Sequence, residues 1–337
     1  MILVRAPLRM SFVGGGTDQP GFYHRHPGRV LSVTIDKYVY LLINPTPLIN
    51  KFTLKYQKVE FADHPRDLEH TRVKAALLHL GITDEGLEIG TFADLPARTG
   101  LGSSSSFSVA LMKGLHAHLG RKLSKEEAAE AASYLEMELL KEPIGKQDQY
   151  ASSFGGFNIL QFNPDDSVAV EPVLLDYKKR IALEDNLLLF FTGITRAASS
   201  VLTEQRTKID ENFETYKKMA DSVHDFKKLL LAGDIQGMAG MLHEGWLRKK
   251  SLASNLSNSV IDDLYEAGIK AGAWGGKVLG AGGGGCILFL APKEKHGTIR
   301  EATKAMAGKN DLKDFQEIPI KFIQSGTDIL FNNHHSK

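Results

Sequence analysis

Hydrophobic residues open the chain in short β-branched stretches and settle into a helical repeat further on. Ile2–Ala6, Arg29–Ile35 and Tyr38–Ile43 predict strands. Gly14-Gly15-Gly16-Thr17-Asp18 predicts a loop between the first two. Arg72–Leu80 reads as a helix closed by Gly81, and Leu87–Phe92 as a strand. After a glycine–serine loop, Pro96 to Ser106, the residues Phe107, Leu111, Leu115 and Leu119 recur every four positions until Gly120. Ser124 and Glu127 have the spacing of a capping box, opening a helix that runs to about Leu140. Residues 160–175 read as a link and Leu187–Thr192 as a strand. Residues 200–272 are mostly helical, with Gly233 between two helices and Ser259 with Asp262 capping a third. A helix then leads into a glycine-rich turn and the strand Cys286–Leu290, with Ile318–Ile323 and Ile329–Phe331 as closing strands. The mixture predicts an α+β protein of two domains, 1–170 and 171–337.

Composition narrows the function classes. The chain has 337 residues, 42% hydrophobic and 24% charged, with a formal net charge of +1. That balance supplies no overall basic field for nucleic acid or an acidic membrane. No apolar run reaches the ~18 residues needed to span a bilayer. The apolar N-terminus is interrupted by Arg5 and Arg9, so it reads as a strand and not as a secretion signal. Cys286 is the one cysteine, which implies no oxidising compartment. The cytoplasm is the expected location.

Three glycine-rich loops carry the candidate chemistry. In Pro96 to Ser106, Gly100 and Gly102 let the backbone turn and approach a ligand. The serines then begin a helix whose first N–H groups, aided by the helix dipole, form an anion site. No GxxxxGK followed by Ser or Thr occurs, so this is not a Walker A loop. The second loop runs from Lys277 to Cys286. Its Gly280, Gly282 and Gly285 formally match GxGxxG, but a helix is expected before it and a strand after it, the reverse of a dinucleotide site. The third is Gly14 to Asp18, flanked by Arg9, whose paired donors suit oxyanions, while Asp18 suits sugar hydroxyls. Taken singly, each loop also fits a linker or a tight turn.

Acidic residues lie between these loops. Glu136 and Glu138 project from opposite faces of one helix, so only one of them can face a given site. Pro143 ends that helix, and Asp148 follows in a short polar loop. A helix-borne carboxylate can hold Mg²⁺, and one in a loop can orient a hydroxyl.

In this order the pieces resemble the GHMP kinase family. Ala6-Pro7-Leu8-Arg9 through Asp18 looks like its first motif, Pro96 to Ser106 its second, and Lys277 to Cys286 its third. Gly145-Lys146-Gln147-Asp148-Gln149-Tyr150-Ala151 and Thr192 to Arg196 are most similar to the branch that acts on heptose 7-phosphates. The resemblance implies a two-domain GHMP kinase fold, with a ribosomal-protein-S5-like N-terminal domain that binds ATP and a ferredoxin-like C-terminal domain. It implies ATP and Mg²⁺ as cofactors, a sugar or sugar phosphate as substrate, and no nucleic-acid or membrane partner; a homodimer stays open. The implied reaction is phosphorylation of the C1 hydroxyl of D-glycero-D-manno-heptose 7-phosphate to the 1,7-bisphosphate. The alternatives are C1 of another sugar or a non-catalytic sugar sensor. By resemblance, Asp148 is the base and Arg9 lies beside the transferred phosphoryl. Gly16, Thr17 and Asp18 meet the sugar, and Arg196 its phosphate, with Arg25, Arg29 and Lys37 as alternatives. Pro96, Gly100, Leu101, Gly102, Ser103, Ser104, Ser105, Ser106, Gly282 and Gly283 meet ATP. Ser104 and Glu136 hold the metal, with Glu138 as runner-up.

Overall fold

The first strand, β1 (Ile2–Val13), runs past the expected Ala6 because both of its faces become buried from there on. The alternation that marks a half-exposed strand therefore disappears at Pro7. A helical turn, α1 (Pro20–Tyr23), leads to β2 (Gly28–Pro45), which unites the two strands expected on either side of Asp36-Lys37. The β1–β2 ladder skips there, with Leu8 opposite Ile35 and Pro7 opposite Tyr38, so the sequence break marks a bulge. This computed structural model describes residues 1–195, 198–252 and 256–333.

Strands β3 (Phe52–Lys55) and β4 (Val59–Ala62) form a hairpin. Helix α2 (Thr71–Leu80) ends as predicted at left-handed Gly81, and β5 (Leu87–Ala93) follows. Helix α3 (Ser103–His118) packs on β1 and β2. The capping box at Ser124 and Glu127 opens α4 (Lys125–Tyr134), which passes at Leu135–Leu139 into a π-helical turn. Asp148 lies in the first turn of α5 (Gln147–Phe154), not in the loop expected. The supposed link at 160–175 is in fact a hairpin, β6 (Phe157–Phe162) with β7 (Val168–Pro172).

Beyond α6 (Tyr177–Asp185), strand β8 (Leu187–Phe191) begins a second sheet. Then come α7 (Ala198–Thr207), α8 (Phe213–Ala232), α9 (Ile235–Lys250) and α10 (Ser259–Lys270). Gly233 separates α8 from α9 in a left-handed cap, but the cap of α10 is Asn258 and not Ser259. Strands β9 (Gly275–Val278) and β10 (Cys286–Leu290) flank the glycine loop, so a strand precedes it where a helix was expected. Helix α11 (His296–Lys309) had no counterpart in the sequence reading. Of the expected strand 318–323, only an isolated bridge from Phe322 to Ile35 forms; the short β11 (Gln316–Glu317) lies just before it. Strand β12 (Asp328–Asn332) returns to pair with β1.

Two sheets result. The first runs β12-β1-β2-β5-β3-β4, with β6 and β7 continuing from the other half of β2; the second runs β11-β8-β10-β9. The unbroken apolar run of β8 follows from burial on both faces. Leu188 and Phe190 pack with Leu264 and Ile299 of the outer helices, while Leu187, Leu189 and Phe191 join the main core. This is the mixed, two-domain arrangement expected. Residue 170 falls inside β7, and β12 carries the chain end back to the first sheet.

Candidate active site

The glycine loops meet backbone to backbone. A Cβ on Gly280 would lie 2.7 Å from the Gly100 Cα, and one on Gly285 would lie 2.6 Å from the Thr99 carbonyl oxygen. Both glycines have positive φ. Close packing of the two halves thus explains these glycines at least as directly as contact with a ligand does. Gly282 lies against the Leu256 carbonyl, and the Gly283 amide donates to that carbonyl at 2.8 Å. These two were expected at ATP, and the Gly283 N–H is already engaged.

Above this joint, Gly102 starts α3 in a left-handed cap, with no side chain capping the helix. The first turn, with Ser104 exposed, is therefore an open anion site. Leu101 accepts from the Arg9 amide at 3.0 Å. The Arg9 side chain donates to the Gly100 carbonyl at 2.9 Å, and to Asp148 from Nε at 2.8 Å and Nη2 at 2.6 Å. Arg9 is buried, and the Asp148 side chain is 25% exposed, so the cleft reaches the carboxylate. Pro96 is exposed, and Ser106 is buried with its hydroxyl on the Pro7 carbonyl at 2.8 Å.

Asp18 is placed by the tight turn before it and by α5. It accepts from the Gly16 amide at 3.2 Å, the Gln147 amide at 3.2 Å and Gln147 Nε2 at 2.8 Å. Burial, then the nearby Asp148 charge, raise its pKa to about 6 against these hydrogen bonds. A Cβ at Gly145 would sit 2.1 Å from Asp18 Oδ2, so glycine is needed there for the approach. Tyr216 of α8 lies beside Gly16, and its buried hydroxyl has no partner among the described residues. Thr17 is not free for a ligand: its hydroxyl donates to the Arg29 carbonyl and accepts from the Arg29 amide, each at 2.9 Å.

Glu136 occupies the π-helical turn and is fully buried. It accepts from Ser105 at 2.9 Å, Ser108 at 2.7 Å, Arg72 at 3.3 Å and Gln149. Ser104 is not among its hydrogen-bond partners in the described residues. Glu138 faces solvent and pairs with Lys141 at 2.9 Å, so the opposite-face expectation holds. Both Glu136 oxygens are saturated, and no cluster of three metal-ligating side chains occurs among the described residues. In this arrangement the donor set does not fit a Mg²⁺ site built on Ser104 and Glu136.

Arg196 lies outside the described residues. Arg25 pairs with Asp210 and stacks on Phe213, Arg29 bonds Gln161 at 2.8 Å, and Lys37 pairs with Asp36 at 3.1 Å. Two lysines at the cleft went unremarked as ligands. Lys277 donates to the Ser11 and Phe12 carbonyls at 2.9 and 2.8 Å, and burial holds its pKa well below the usual lysine value. Lys249 of α9 donates to the Gly280 carbonyl at 2.6 Å. No local motif marks Lys249; only the fold brings it here.

An open helix N-terminus beside an arginine–aspartate pair suits phosphoryl transfer, and the comparisons agree. Residues 70–156 match the GHMP kinases N terminal domain, and residues 226–308 match GHMP kinases C terminal. The chain belongs to the GHMP kinase family. GHMP kinases use ATP as phosphoryl donor, and this member is a phosphotransferase acting on an alcohol group. It is 29% identical over 94% of its length, and 97% of the relative's, to the D-glycero-alpha-D-manno-heptose 7-phosphate kinase of Campylobacter jejuni. A Thermococcus kodakarensis galactokinase is 25% identical, with 87% of this chain and 90% of the relative covered. A solved D-glycero-D-manno-heptose 1-phosphate kinase from Bacteriodes thetaiotaomicron superimposes with a TM-score of 0.80 at 27% identity, covering 99% and 100% of the two chains. Among the described residues of this GHMP kinase, no helix is long and apolar enough to cross a membrane.

Proposed function

We propose that this kinase transfers the γ-phosphoryl group of ATP to the C1 hydroxyl of D-glycero-D-manno-heptose 7-phosphate, giving the 1,7-bisphosphate and ADP. The observation that carries the reading is the convergence of Arg9, Asp148 and the α3 N-terminus at one point of the cleft. The likeness to a heptose 7-phosphate kinase over nearly the whole chain supplies the substrate.

In this mechanism the first-turn amides of α3 hold the triphosphate tail, with Arg9 against the transferred group. Asp18 and Gln147 hold sugar hydroxyls. Asp148 orients the C1 hydroxyl, whose oxygen forms the new bond to the γ-phosphorus as the bond to the β–γ bridging oxygen breaks. The proton leaves late, to Asp148, because an ordinary carboxylate is a weak base for an alcohol. The nucleotide is taken to arrive with Mg²⁺ on its phosphates. The cytoplasm, where ATP is abundant, is the proposed location.

The second reading is the same reaction on another acceptor. The Bacteriodes neighbour is a heptose 1-phosphate kinase by name, and the Thermococcus relative is a galactokinase by name. ADP release should be measured with heptose 7-phosphate, heptose 1-phosphate, galactose, fucose, mannose and glucuronate. Turnover fastest with heptose 7-phosphate, with the product's new phosphate at C1 by NMR, is expected. Faster turnover with any other sugar overturns the assignment.

A further inference from the structure

Helix α9 brings to the cleft a cation that forms no ion pair among the described residues. Lys249 is 8% exposed, and among the described residues no carboxylate lies within ion-pair distance of it. Its bond to the Gly280 carbonyl uses one of three N–H groups. Burial, then the Arg9 charge, lower its pKa to about 8, while Asp18 and Asp148 act the other way, so it sits within reach of the reaction centre. Arg248, its neighbour, is half-buried and likewise pairs with no acid among the described residues.

Both border a pocket of about 110 Å³ between α8, α9 and the Gly14–Asp18 turn. That is room for about three to four waters at liquid density, the scale of a phosphate group. Gly14 and Gly15 form one wall, and Lys277 lies at the β9 side. Trp246 also borders the pocket, and its buried indole N–H has no partner among the described residues. Glu244 is the one acid on the rim, and it is exposed. A Cβ at Gly15 would lie 3.8 Å from Gln147 Oε1, and Gln147 holds Asp18, so the pocket adjoins the sugar acid.

We propose that this pocket is the subsite for a phosphate already carried by the acceptor sugar, with Lys249 as its anchor and Arg248 at its mouth. The proposal rests on the reading that the cleft takes a sugar, and it names the class of sugar. A buried ammonium without a counter-ion gains most from an anion, because pairing offsets the desolvation that burial imposes. The competing role for Lys249 is a plain tether for the glycine loop at Gly280, which would act on ATP and not on the acceptor.

Calorimetry without nucleotide separates the two, using heptose 7-phosphate and the unphosphorylated heptose against wild type, Lys249→Met and Lys249→Arg. Lys249→Met is expected to weaken the phosphorylated sugar roughly 10- to 150-fold, the worth of a charge-assisted contact. It should leave the unphosphorylated sugar and the KM for ATP within about 2-fold, and Lys249→Arg should restore most of the preference. Arg248→Ala, which empties no buried site, should show a smaller loss confined to the phosphorylated sugar. Equal losses for both sugars, a rise in the ATP KM alone, or a wild type without preference for the phosphorylated form overturns the subsite. Turnover of heptose 7-phosphate unaffected by Lys249→Met defeats the subsite and leaves the proposed reaction standing. Lys249-dependent binding of D-mannose 6-phosphate by an enzyme inert toward heptoses supports the subsite and defeats the heptose assignment.

Discussion

Arg9 holds both carboxylate oxygens of Asp148, across 139 residues of sequence, while its remaining nitrogen reaches the Gly100 carbonyl. One guanidinium thus fixes the positions of an acid on α5 and of the loop that starts α3. Its planar fork makes this possible; a lysine ammonium offers no such fixed geometry. In the proposed reaction the acceptor oxygen and the triphosphate tail must align to within a fraction of an ångström.

Asp148→Asn keeps the shape of the side chain and removes its charge. It should lower kcat by at least ~10²-fold, the usual worth of a general base, with the KM for ATP changed only a few-fold. Steady-state ADP release measures both. A near-normal kcat would remove Asp148 from the chemistry.

Asp18 gives the stability of the protein a sign with pH. Its folded pKa of about 6 lies above the ordinary aspartate value of 3.8. Between those values the folded state binds more protons than the unfolded one, so Asp18 costs stability as pH rises from about 4 to 6. The full cost is on the order of 3 kcal/mol. Asp18→Asn should flatten this part of the stability profile in urea melts from pH 4 to 7, while weakening sugar binding. An unchanged slope would show that Asp18 titrates normally.

Glu136 stands at the centre of a buried network of Ser105, Ser108, Gln149 and Arg72. Glu136→Ala leaves the Ser105, Ser108 and Gln149 donors unpaired, while Arg72 keeps its pair with Glu142 at 2.7 Å. A loss of about 2–3 kcal/mol is expected in chemical denaturation, the cost of buried donors left without acceptors. A loss below ~1 kcal/mol would mean that the network contributes little.

The joint between the two glycine loops admits no side chain. Gly280→Ala combines a positive φ with a 2.7 Å approach to Gly100, whereas Gly81 has positive φ and open space. Gly81→Ala should therefore cost about 1 kcal/mol, the left-handed penalty alone, and Gly280→Ala distinctly more. Thermal melts of the two variants compare them directly, and equal shifts would argue against close packing at the joint.

The sequence by itself determined what local chemistry controls. Gly81 and Gly233 end their helices because only glycine enters the left-handed region cheaply, and Ser124 with Glu127 cap α4 within one turn. The order of the three glycine motifs was legible in the same way, and with it the family. Only the tertiary structure decided which neighbours those residues meet. It turned Ser105 and Ser108, not Ser104, toward Glu136, used up the Thr17 hydroxyl on Arg29, and brought Lys249 to the cleft. The physical reason is range. Caps and turns are settled within about four residues of chain, whereas the partner of a buried polar group is set by packing between segments 12 to 139 residues apart, which no local pattern encodes.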